Sequence, residues 1–153
     1  MTAETRVSEL RFAEVEYGSS EYQMEWDLRE AVLRAPLGLS LSDEDTRAES
    51  TALHYGLFNG PDCVACLLAM PEPERRYRVK QMAVSPEWQS RGLGARLMGE
   101  METRLAALGA REIALHARLT AEKFYSKLGY VSSGKTFIEV TIPHVRMSKR
   151  LHD

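Results

Sequence analysis

The chain has 153 residues, 44% of them hydrophobic, which is enough for one domain with a real core and short for two. Its 20 Lys and Arg against 22 Asp and Glu give a formal charge of -2, which excludes a global basic field for nucleic acid or an anionic membrane, so any anion site must be local. The longest apolar run, Cys63 to Met70, is too short to span a membrane and Met1 to Arg6 lacks a leader's apolar stretch, so a cytoplasmic location is expected.

Alternation of apolar and polar residues predicts a first strand over Leu10 to Tyr17. Tyr22 to Leu33 follows with helical spacing at Met24, Leu28 and Val32 and breaks at Pro36-Leu-Gly38; Ser42-Asp-Glu-Asp45 reads as a loop or helix cap. His54 to Phe58, Cys63 to Met70 and Arg78 to Val84 read as an antiparallel meander, with turns at Asn59-Gly60-Pro61 and Pro71-Glu-Pro73-Glu. Residues three apart in a strand point to opposite faces, so Cys63 and Cys66 are expected as core residues rather than a redox pair or half of a zinc site, and no metal is expected.

Leu93, Leu97, Met101, Leu105 and Leu108 mark one face of a long helix closed by Gly109, and Glu112 to Ala117 is the strand after it. Strand, helix, strand implies a parallel crossover. Thr120 can cap a further helix with apolar positions Ala121, Phe124, Tyr125 and Leu128, ended by Gly129. Strands near Phe137 to Val140 and Val145 to Met147 complete a mixed α/β chain.

The junction from Val84 to Met98 carries the most chemistry. A strand pattern stops, Gly92 and Gly94 crowd a turn, and a helix begins, so free N–H groups at the positive end of a helix dipole can hold phosphates. Arg91 and Arg96 add mobile positive charge. A dinucleotide fingerprint would need a third glycine at Leu97, and a Walker loop would need Lys-Ser/Thr where Ala95-Arg96 stand. A turn whose glycines serve only tight packing is the competing structural reading.

Gln89-x-x-Gly92-x-Gly94, after a strand ending in Val84-x-Pro86, resembles the pyrophosphate motif of the GNAT superfamily of acyl-CoA-dependent N-acetyltransferases. Ala121-Glu-Lys-Phe124-Tyr125-Ser-Lys127-Leu-Gly129-Tyr130 is similar to that superfamily's second signature, at the distance its members show. The resemblance implies one domain over residues 1–153. Its sheet would be central, mixed and mostly antiparallel, with helices on both faces and a splayed parallel pair, Arg78 to Val84 and Glu112 to Ala117. Acetyl-CoA would be the acyl donor, an unidentified primary amine the acceptor, and a homodimer the assembly.

By the same resemblance, backbone groups of Met82, Ala83 and Val84 would pair with pantetheine. Gln89, Ser90, Arg91, Gly92, Leu93, Gly94 and Ala95 would face the pyrophosphate, with Arg91 or Arg96 screening charge, and Ala121, Phe124, Tyr125 and Lys127 would complete the cofactor site. Tyr125 would protonate the departing thiolate, since a phenol keeps its proton at neutral pH.

An amine acceptor is mostly protonated at neutral pH and needs a base or a water relay. Arg78 stands where several GNAT histone acetyltransferases carry a basic Glu, and Arg118 where many members carry Asn, serving either altered pantetheine contacts or a nearby anion. Glu139 and His144 rank first as catalytic groups, because the tail Phe137-Ile-Glu139-Val-Thr-Ile-Pro143-His144-Val-Arg-Met147 resembles one bacterial group, as do Leu28-Arg29 and Pro36-Leu-Gly38. His116, His54 and Glu49 are the other candidates, with His116 read as strand alternation and His152 as tail. A CoA-binding domain without chemistry, and an acyltransferase for a different acyl-CoA, are the rival readings.

Overall fold

The computed structural model describes residues 5–151; His152 and the first four residues lie outside the described residues. Seven strands form one sheet in the order β1-β2-β3-β4-β5-β7-β6. β1 (Arg11–Val15), β2 (Leu53–Asn59), β3 (Asp62–Glu72) and β4 (Arg76–Val84) make the expected antiparallel meander, then β4 pairs parallel with β5 (Glu112–Arg118). β6 (Val131–Glu139) and β7 (Ile142–Arg150) form an antiparallel hairpin that joins through β7 to β5.

α2 (Leu93–Ala107) crosses from β4 to β5 and buries Leu93, Leu97, Met98, Met101 and Leu105. Its partners are sheet residues at alternate positions, Tyr55, Leu57, Ala65, Leu67 and Ala69, each burial of such a side chain contributing about 1.5–3 kcal/mol. α1 (Ser20–Arg29) packs on β3 and β4; the Ser19 hydroxyl caps it by accepting from Tyr22 N–H at 3.1 Å. The helix runs on as a π turn over Glu30–Arg34 and a 3-10 turn over Ala35–Leu37, and ends at Gly38 with φ +72°, where the sequence breaks. α3 (Glu122–Lys127) presents Tyr125 to the core. Among the described residues no helix is long and apolar enough to cross a membrane.

Two β-bulges alter what simple alternation predicts. In β3, Leu57 pairs with Ala65 but Phe58 with Cys63, so Val64 is an extra residue. The two thiols bond elsewhere, Cys63 to Ala65 O at 3.4 Å and Cys66 to Glu25 O at 3.8 Å; both are free, Cys66 buried and Cys63 only half-buried, and burial first, then the neighbouring Cys63, push the Cys66 thiol up. In β4, Cys66 pairs with Ala83 while Leu68 pairs with Lys80, and Gln81 takes φ +53°. Pairing of β4 with β5 stops at Val79 and Leu115, just where this bulge begins, so the parallel pair splays from there.

The β6–β7 hairpin is longer than its sequence suggests, because Ser132, Ser133, Gly134 and Lys135 lie exposed on an edge strand and carry no alternating apolar signal. Val140 and Thr141 turn it with φ +44° and +66°, a region a β-branched residue enters only at a cost of about 1–3 kcal/mol.

Candidate active site

Past β4 the chain makes a 3-10 turn, Pro86–Trp88, and reaches α2 through Ser90 at φ +62° and Gly92 at φ +83°. Residues of alternating handedness aim successive N–H groups into one concavity. The N–H groups of Ser90 through Ala95 make no hydrogen bond among the described residues, and Arg96 N–H, to Gly92 O at 3.1 Å, is the first amide of the helix to be satisfied. The two glycines serve different ends. Gly92 supplies the positive φ with open space around it, whereas a Cβ on Gly94 would sit 3.1 Å from Phe124 Cζ and 3.4 Å from Met82 Cε.

Gln89 donates its side-chain amide to Val84 O at 3.0 Å, so that carbonyl is engaged within the chain. Arg91 lies 4.1 Å over the Trp88 ring and donates to Thr5 O, staying exposed beside the turn. Arg96 departs from expectation. Its guanidinium bonds Val7 O, Leu10 O and Glu100, pinning the segment before β1 to the helix, because a long side chain in the first turn of α2 reaches those carbonyls.

A cavity of about 230 Å³ opens where β4 and β5 diverge. Met82, Ala121, Phe124 and Tyr125 line it from the cradle side, and Leu33, Arg34, His116, Arg118, Glu139, Val140 and His144 from the other. Tyr125 packs edge-on to Phe124 and Tyr130, and burial pushes its phenol up to about 12 against the opposing pull of Arg118. Its hydroxyl has no bond among the described residues, so a protonated donor faces the cavity. Ala83 is buried and paired to β3, and Lys127 is exposed and lines no part of the cavity.

The β6–β7 turn delivers Glu139 and His144 to the cavity wall. His144 is buried, and its Nδ1 lies 2.7 Å from Ile142 O; a carbonyl only accepts, so Nδ1 carries the proton and Nε2 keeps its lone pair in the neutral ring. Nε2 is 3.8 Å from Glu139 Oε2. Glu139 Oε1 is 2.9 Å from His116 Nδ1 and 3.7 Å from Arg78 Nη2. Burial disfavours the Glu139 carboxylate, but the hydrogen bond and charge of His116, then His144 and Arg78, outweigh it and hold the group below the usual carboxylate range. Arg78 also reaches His116 Nδ1 at 2.9 Å, so that nitrogen either donates to Glu139 or accepts from Arg78. Phe137 stacks on His144 and meets His116 edge-on, fixing both rings.

His54 and Glu49 fall elsewhere. They join Glu25 and Arg29 in a buried quartet: Arg29 forks onto Glu49 at 2.8 and 3.0 Å, and His54 Nδ1 lies 2.8 Å from Glu25 and Nε2 2.8 Å from Glu49 O. Both ring nitrogens of His54 therefore face an acceptor, which favours the imidazolium and leaves no lone pair free for catalysis. Arg29 also donates to Gln81 Oε1 at 2.8 Å, tying the quartet to the bulge. Gln81, Arg34 and the placement of His116 were missed by sequence reasoning; the Leu28-Arg29 and Pro36-Leu-Gly38 matches were the only signal touching that face.

The model of the acetyltransferase (GNAT) domain family matches residues 46–151, more than half of the chain, and the chain belongs to that family. An uncharacterized N-acetyltransferase of Bacillus subtilis, YjcF, is 28% identical over 130 residues, covering 80% of this chain and 87% of its own length. The chain spans about half the length of a second relative from that organism, YyaT, at 31% identity over 74 residues. Among solved structures, an acyl-CoA N-acyltransferase from Pseudomonas aeruginosa superposes with a TM-score of 0.81 at 18% identity over 92% of this chain and 99% of that one. A Bacillus subtilis acetyltransferase in complex with CoA gives 0.70 at 18% identity over 92% and 98%. At such identities the structures speak for the fold alone.

Proposed function

We propose that the protein transfers the acetyl group of acetyl-CoA to a primary amine of a small molecule, peptide or protein, by direct attack in a ternary complex. The observation that carries this is one continuous arrangement: unbonded amides at the head of α2, a strand pair that opens beside them, and a proton donor and a proton acceptor lining the opening. CoA binding by a Bacillus subtilis acetyltransferase of the same fold supports the choice of donor.

The residues fit that group. Amides of Ser90 to Ala95 would hold the pyrophosphate with Arg91 beside them, and the missing Cβ of Gly94 lets the turn lie flush on Phe124 and Met82. When bound, the thioester supplies an activated acetyl group. His144 Nε2 takes a proton from the ammonium of the acceptor, whose pKa is near ~10, and Glu139, too acidic to be the acceptor itself, stabilises the imidazolium that forms. As the C–N bond forms and the C–S bond breaks, Tyr125 would give its phenolic proton to the thiolate, and the second proton that nitrogen sheds in becoming an amide would restore the phenol. The Ile142-Pro143-His144-x-x-Met147 tail, read as the mark of one bacterial branch, contributes the base.

The test pairs the melting temperature with and without acetyl-CoA with thiol release against mixed amines. A stabilising shift with thiol release is expected. A shift with no release across the amine panel would favour a CoA-binding domain without chemistry, and no shift at saturating CoA would overturn the site. Competition among acyl-CoAs checks the acetyl preference.

A further inference from the structure

We propose that the amine acceptor also bears a carboxylate, and that Arg118, with Arg34 beside it, is the subsite that takes it. This deepens the acyltransferase reading and rests on it for the amine. The guanidiniums of Arg34 and Arg118 converge on one atom, Leu33 O, at 3.2 and 3.4 Å. Two permanent cations share a single carbonyl on the wall of the cavity that also holds Tyr125 and His144.

Arg34 is already matched by Glu44, which it grips at 2.6 and 3.2 Å. Arg118 has no carboxylate within 4.0 Å among the described residues, and burial, then the charge of Arg34, work against its charged form. Taken with its continuation toward Glu44, the cavity is lined by four permanent cations, Arg34, Arg78, Lys80 and Arg118, against two carboxylates, Glu44 and Glu139. Both carboxylates are engaged with side chains of the wall.

The missing counter-charge is not a phosphate of CoA. None of residues 90–95, which present the free amides, lines this cavity, and the pantetheine arm that would cross it is neutral. An anion seated at Arg118 therefore comes with the acceptor. A guanidinium presents paired donors that match a carboxylate, and part burial strengthens the pairing. A polycationic amine would instead meet an excess of positive charge.

The experiment uses matched acid and amide pairs on the CoA-saturated full chain. Calorimetry compares N-acetylglycine with N-acetylglycinamide and N-acetylphenylalanine with its amide, and thiol release compares the parent amines, with spermidine as the polycation. We expect the acids to bind at least tenfold more tightly than the amides and their amines to show a KM at least tenfold lower. Arg118→Gln should erase the gap by weakening only the acids, with the CoA-induced melting shift intact, and Arg118→Lys should restore part of it. Equal binding of acids and amides, no binding of any acid, a preference for spermidine, or a gap that survives Arg118→Gln would overturn the subsite. Acid-selective binding that depends on Arg118 without thiol release would keep the subsite and overturn the transferase, whereas thiol release without acid preference would do the reverse.

Discussion

Two clusters of Arg, His and Glu lie near the β4 bulge and have opposite chemistry. In the quartet of Glu25, Arg29, Glu49 and His54, fully or almost fully buried, two anions face two cations and nearly every donor meets an acceptor; Glu25 Oε2 and Arg29 Nε are the exceptions. In the cluster of Arg78, His116, Glu139 and His144 the contacts are longer and His144 Nε2 has no hydrogen bond among the described residues. A cluster whose valences are closed can hold a backbone in place but offers no lone pair to a substrate, while one with an unspent lone pair facing a cavity does. Gln81 stands between them, held by Arg29 on one side and lining the cavity on the other.

The largest effect is expected from breaking the closed cluster. Arg29→Met would leave Glu25 and Glu49 buried without their partner and should cost about 3–5 kcal/mol of folding stability, read from the urea midpoint. A loss below about 1 kcal/mol would mean that the quartet is not the rigid member of the pair. By contrast Glu139→Gln, in the more exposed cluster, should cost no more than about 1 kcal/mol.

Next comes the cradle. Gly94→Glu would drive a side chain into Phe124 and set a negative charge beside the free amides, so the melting shift with acetyl-CoA should vanish while the protein stays folded. Unchanged CoA affinity would remove the cradle from the site. Tyr125→Phe keeps the packing and deletes the proton; turnover should fall roughly 10²–10⁴-fold with CoA binding little changed. Equal turnover would reduce Tyr125 to packing. His144→Ala should remove the low-pH limb of the pH–rate profile, where activity falls as the base takes up a proton, and an intact limb would move the base elsewhere.

The sequence was most legible where the signal is local. Glycines at 92 and 94, the apolar face of α2 from Leu93 to Leu105 and the turns of the meander each follow from a few adjacent residues, and the structure has them where expected, whereas Leu108, expected on that face, caps the helix and is exposed. What was hidden depends on non-local pairing. The bulges at Val64 and Gln81 exist only in register with a neighbouring strand, so local pattern could not show that His54 is fully bonded in the quartet while His144 Nε2 is free; only the resemblance of the tail ranked His144 above it. Arg96 shows the same limit: a basic residue at the head of a helix is equally readable as a phosphate ligand or as a tie to Val7 and Leu10, and the fold supplies the tie. The β6 strand was underestimated because an exposed edge needs no apolar alternation.

The smallest predicted effect separates the two clusters by pH. Burial alone would lower the His54 pKa, but the hydrogen bond and charge of Glu25 and the bond to Glu49 O prevail and raise it above its ordinary 6.5. A group whose pKa is raised on folding adds stability that is complete below ~6.5 and is lost as pH rises through the folded value. Glu49 is displaced the other way: burial opposes its charge, yet Arg29 and Tyr22 hold it below 4.5, so its contribution is present above that value and is lost as pH falls through the folded one. Stability should therefore be highest between the two and decline on the alkaline side. His54→Gln, which can still donate to one partner, should flatten the alkaline decline and leave the acid limb, set chiefly by Arg29 and Tyr22 with His54 a lesser cause, largely in place. Urea midpoints from about pH 2 to about pH 9 for both proteins, which span both limbs, check it. An alkaline decline that persists in the variant would assign it to another group and would leave the charge state of the closed cluster without support in solution.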